Sequence, residues 1–117
     1  MIKTCSAAAA LALAMGFAGG AQAAVPVIGG GLAELCSKAA ISGESDARFD
    51  DVCTMALESE YLNSKDRAGT YVNRGVLRLR RASYKIAERD FDLAVKAQPD
   101  LGEAYVNRGA AYIGQQR

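Results

Sequence analysis

The chain has 117 residues, with 14 basic and 13 acidic side chains and neither histidine nor tryptophan. That length suits one domain, and a formal charge of +1 gives no basic face for capturing nucleic acid. Without histidine the commonest general base near neutral pH and the commonest zinc ligand are both missing, so most hydrolase triads and metal sites are disfavoured and no cofactor is expected.

Residues 1–23 read as an address. Lys3 supplies a positive start, the run from Ala7 to Phe17 is uncharged and rich in Ala, Leu and Met, and Ala21-Gln22-Ala23 offers small side chains at the two positions a signal peptidase must accommodate. The order is that of a secretory signal peptide cleaved after Ala23. The competing reading, a membrane anchor, is weaker, because the apolar run is shorter than the roughly 20 residues a span requires. A mature chain exported to a bacterial periplasm or secreted follows, with no membrane attachment after cleavage. Cys5 leaves with the signal.

Residues 24–31 are expected to be a flexible linker. Gly29-Gly30-Gly31 has neither the lysine nor the spacing of a phosphate loop. A helical hairpin then spans 32–67, with helices at about Leu32–Ile41 and 47–59 around a Ser42-Gly43-Glu44-Ser45 turn. Cys36 and Cys53 are equidistant from that turn, so antiparallel register permits a disulfide, and an oxidising compartment favours one. Closing such a loop stabilises by about 3 kcal/mol in the chain-entropy model. The alternative is two buried free thiols. Their wide spacing and the lack of a CxxC pair disfavour redox catalysis.

From Ala68 to Leu79, Tyr71, Val72, Gly75, Val76 and Leu79 recur at helical spacing on one side. A second helix from about Tyr84 to Ala97 carries Ala87, Phe91, Ala94 and Val95 on one stripe. Gln98-Pro99-Asp100 closes it, since proline disfavours helix in the residue before it. A last helix begins near Leu101 and carries Tyr105, Gly109, Tyr112 and Ile113. Within these helices Tyr71-Val72-Asn73-Arg74-Gly75 recurs unchanged as Tyr105-Val106-Asn107-Arg108-Gly109, an offset of 34 residues. That period belongs to helix–turn–helix solenoids. Glycine inside a helix costs about 1 kcal/mol relative to alanine, so Gly75 and Gly109 are expected to mark places where the paired helix comes too close for a β-carbon.

Residues 68–101 resemble one complete tetratricopeptide repeat (TPR). Tyr71 stands at the family's first aromatic, Gly75 at its small residue, Ala87 and Ala94 at its alanines, Phe91 at its second aromatic and Pro99 at its terminal proline. Arg74 and Arg108 depart from the pattern, which is apolar there. They are expected to pair with Glu88, Asp90 or Asp92, and the run Arg78-Leu79-Arg80-Arg81 is read as a solvated helix end. Phe49, Cys53 and Ala56 have the spacing of a degenerate preceding unit, and residues around Asn63–Asp66 break the strict period. Residues 102–117 form the first helix of a further, truncated repeat, whose uncapped face is open to self-association or to completion by a partner.

The expectation is therefore an all-α, short helix-turn-helix (TPR-like) solenoid of about five antiparallel helices. The resemblance implies a non-catalytic module that binds a partner protein or peptide in the groove lined by successive first helices. In that family asparagines on this face can grip an extended peptide's backbone, which singles out Asn73 and Asn107. Packing of these asparagines against neighbouring helices is the alternative. Tyr71, Val76, Arg80, Tyr105 and Ala110 complete the candidate partner-binding set. A thiol-redox protein, or an enzyme accessory segment that folds on assembly, is the competing function.

Overall fold

The computed structural model describes residues 22–116, and among them the chain is all-α with no strand. Its helices are α1 (Gly31–Ile41), α2 (Arg48–Ser59), α3 (Ser64–Arg80), α4 (Tyr84–Ala97) and α5 (Gly102–Gly114). Each packs on the next, and α3 also packs on both α1 and α5. The odd-numbered helices thus form a row, with α2 seated between α1 and α3, and α4 between α3 and α5. The signal-peptide reading falls on residues outside the described ones, apart from Gln22 and Ala23. None of the described helices is long and apolar enough to cross a membrane.

Local chemistry sets the helix ends. The Asn63 side chain accepts from the Asp66 backbone N–H at 2.8 Å, so the residues that broke the strict period are the cap and first turn of α3. That helix ends in a left-handed residue, Ala82, with φ 59°. There the Ser83 N–H reaches the Arg78 carbonyl at 3.0 Å and the Ala82 N–H reaches that of Leu79 at 3.0 Å, which satisfies two carbonyls left over at the helix end. At α1 the Glu60 carboxylate, arriving from the end of α2, accepts from the Ala33 N–H at 2.7 Å. A β-carbon on Gly31 would lie 2.2 Å from a Glu60 oxygen, so glycine there admits an anion to the positive end of the helix.

The main core joins Val72, Val76, Ala87, Phe91, Ala94, Ala104 and Ala111, all fully buried. A β-carbon on Gly75 would lie 2.5 Å from Cε1 of Phe91. The close approach expected of this glycine is therefore present, and it lets the ring lie on α3, where burial of such a side chain contributes about 2–3 kcal/mol. Gly109 differs: nothing lies within 4 Å of a β-carbon placed there. Among the described residues no helix lies against Gly109 as α4 lies against Gly75, so the close approach expected there is absent. Gly114 instead makes the close contact on α5, its missing β-carbon leaving room for the Tyr84 ring. Pro99 is exposed and its carbonyl accepts from the Tyr105 hydroxyl at 2.6 Å.

Cys36 and Cys53 are bonded to each other and fully buried, joining α1 to α2 in a second cluster with Ala39 and Leu77. The arginine run of α3 is not a solvated end. Arg78 bonds Asp50 at 3.1 Å and Asp90 at 2.8 Å, and Arg81 bonds Asp50 at 2.5 Å. Arg80 donates to the Ala40 and Glu44 carbonyls, covering one acceptor at the end of α1 and one in the turn that follows it. Arg74 pairs with Asp90 at 2.6 Å and Arg108 with Asp92 at 3.1 Å, as expected of both. Arg74, Arg78 and Arg81 lie on or just after α3, so their carboxylate partners fix α2 and α4 against the central helix. Burial pushes the Asp90 carboxyl above its ordinary value, with the Arg74 and Arg78 guanidiniums opposing the shift.

Candidate functional site

Residues 22–27 are the main departure from expectation, for they are not a loose linker. They lie along the row formed by α1, α3 and α5, and three polar side chains hold them. The Asn73 carboxamide accepts from the Val25 N–H at 2.7 Å and donates to the Val25 carbonyl at 2.8 Å. One repeat further on, Asn107 does the same for Ala23, at 3.1 and 2.9 Å. In α1 the Ser37 hydroxyl accepts from the Val27 N–H at 3.0 Å. The anchored residues are 23, 25 and 27, one for each helix of the row.

This alternation identifies the conformation. In extended chain the N–H and C=O of one residue point to the same edge, and those of its neighbours to the opposite edge. A single carboxamide that takes both groups of Val25, followed by another that takes both groups of Ala23, therefore reads one strand edge. The side chains agree: Val25 and Val27 are 7% and 5% exposed, while Pro26 and Ile28 between and after them are exposed. Pro26 has no N–H to donate, and it occupies a position whose nitrogen faces away from the asparagines, where none is needed.

The helices are shaped to receive this strap. Asn73 and Asn107 sit in helix interiors and are fully buried. A buried carboxamide without partners would cost about 1–3 kcal/mol per group; each instead is satisfied by the strap, and Asn107 also donates to the Glu103 carbonyl at 2.8 Å. Gly69, one turn before Asn73, forms a notch: a β-carbon there would lie 2.9 Å from Cγ1 of Val25 and 3.3 Å from Cγ2 of Val27. At the far end Arg80 donates to the Gln22 side chain at 2.9 Å, and burial lowers the pKa of that guanidinium. At the near end Gly29, Gly30 and Gly31, all at positive φ, turn the chain from strap into α1.

Of the residues singled out by sequence, Asn73, Asn107 and Arg80 converge on the strap, and Val76 lies in the same apolar cluster as Val25. Tyr71 and Ala110 are half-buried against that cluster. Tyr71 also lies under the Arg74 guanidinium at 5.6 Å, and Tyr105 under that of Arg108 at 5.3 Å, so the aromatic rings brace arginines. Ser37, Gly69 and the strap itself are the site residues that sequence reasoning missed. The available signal was an asparagine in the middle of each of two helices, a residue whose carboxamide has more donors and acceptors than its own helix can satisfy. Among the described residues no group of three or more His, Cys, Asp or Glu side chains is arranged to hold a metal ion. Comparison with family models, with curated proteins and with solved structures finds no match to this chain.

Proposed function

We propose that this chain is a non-catalytic binding module of the tetratricopeptide-repeat type, which holds a partner protein or peptide as an extended strand along its first helices. The observation that carries the reading is the pair of buried carboxamides, Asn73 and Asn107, each grasping both backbone groups of one residue at a spacing of one repeat. Such contacts are blind to side-chain identity and demand extended backbone, which is what a receptor for peptide segments needs. The fully buried Cys36–Cys53 bond supports the same reading, since it offers no accessible thiol for redox work. A periplasmic or secreted location fits the same bond and the signal-like residues 1–23.

The test is selection from a library of uncharged extended peptides by the wild-type protein and by Asn73→Ala/Asn107→Ala. The expected result is a set of peptides retained by the wild type and lost by the variant. Equal recovery of every peptide by both proteins refutes the role given to the asparagines.

A further inference from the structure

We infer that the strap, residues 22–28 in the uncleaved chain and 24–28 once the signal is removed after Ala23, is the groove's resident ligand and a template for the partner that replaces it. This deepens the proposed function and rests on it. The partner is an uncharged, extended segment of another protein with a small residue followed by Val or Ile at the second and fourth positions beyond it, the pattern of Ala23, Val25 and Val27.

Three features of the site lead here. The backbone contacts at Asn107, Asn73 and Ser37 impose extended chain and a two-residue step, whatever the sequence. The side-chain requirement comes from the Gly69 notch, because Cγ1 of Val25 occupies space that a β-carbon on the helix would contest at 2.9 Å. A carboxylate in place of either valine would be buried among the apolar side chains that surround Val25 and Val27, where a charge is costly to bury. The strap is not part of any helix, its outer edge is solvent-facing at Pro26 and Ile28, and its junction with α1 is the glycine turn at 29–31. A tether this short gives the strap a local concentration on the order of millimolar, so a partner must match its pattern to compete.

The experiment uses the full chain and a fluorescent peptide of sequence Gln-Ala-Ala-Val-Pro-Val-Ile, read by anisotropy. Val25→Asp/Val27→Asp is expected to expel the strap, with retained helicity and a cooperative melt checked by circular dichroism. Val25→Ser/Val27→Ser serves where the aspartates lower the helicity. The expelled variant is expected to bind the peptide at least tenfold more tightly than the wild type. Adding Gly69→Ala is expected to weaken that binding at least fivefold, and to leave a peptide with alanine at both valine positions unaffected. If the alanine and valine peptides bind the folded expelled variant equally, the template is overturned while the peptide-groove reading stands. If no peptide of any sequence binds, both fall. A wild-type dimer in which straps have crossed between copies overturns the assignment to a foreign segment.

Discussion

Gly75 and Gly109 occupy the same place in two copies of one pentapeptide, so replacing each with alanine separates tertiary packing from local preference. Both substitutions gain about 1 kcal/mol of helix propensity. At Gly109 nothing lies within 4 Å of the new β-carbon, and the gain is expected in full. At Gly75 the β-carbon would stand 2.5 Å from Cε1 and 2.8 Å from Cζ of Phe91, a fully buried ring. Forcing a methyl group into so tight a contact costs about 1–3 kcal/mol, which offsets or exceeds the propensity gain. Because the local sequences are identical, the difference between the two variants isolates the packing term, about 2 kcal/mol. At about 4–8 °C per kcal/mol for a domain near this size, Gly109→Ala should melt roughly 10 °C above Gly75→Ala, with the wild type between them or level with the latter. Calorimetry and urea denaturation of the three proteins measure this directly. Equal shifts of the same sign would refute the close approach of α4 to α3 as the reason for Gly75.

Two other outcomes follow from the covalent and ionic contacts. Reducing the Cys36–Cys53 bond, which joins residues 17 apart in sequence, should lower stability by about 3 kcal/mol in the chain-entropy model; thermal melts with and without reductant, controlled by Cys36→Ser/Cys53→Ser, check it, and a reduced protein melting within a degree or two of the oxidised one contradicts it. Asp90 yields a pH dependence: burial raises its folded value above the ordinary 3.8, so between those two values the folded state keeps a proton the unfolded state has released, and stability falls as pH climbs through that window. In Asp90→Asn that fall should vanish from the urea-derived stability profile. The same slope in both proteins would assign it to other groups.

The parts of this molecule legible in its sequence are those written in periodicity. Helix positions followed from apolar spacing, the α3–α4 pairing from Gly75, Ala87, Phe91 and Ala94, and the disulfide from the register of Cys36 and Cys53 around one turn. The strap was not legible, because a segment this short holds no helical period and its burial depends on groups scattered over three distant helices. Three glycines after it suggested looseness, yet they mark a turn leading out of an extended segment held by hydrogen bonds. The arginine run shows the same limit: Arg78 and Arg81 share Asp50 across 28 and 31 residues of sequence, a pairing that only the stacking of α2 on α3 creates. Asn73 and Asn107 were legible as unusual, but sequence did not reveal that the chain's own residues satisfy them.

The two-residue step along the strap also bears on what can occupy the groove. Extended chain advances about 6.7 Å over two residues, whereas packed helices keep their axes about 8–10 Å apart. Anchoring Val27, Val25 and Ala23 to α1, α3 and α5 in turn therefore needs side chains that converge from wider-spaced axes onto a shorter step. The spacing of Asn107, Asn73 and Ser37 is thus a ruler for the occupant, and one with a residue bulged out between anchors would lose the register of the next contact.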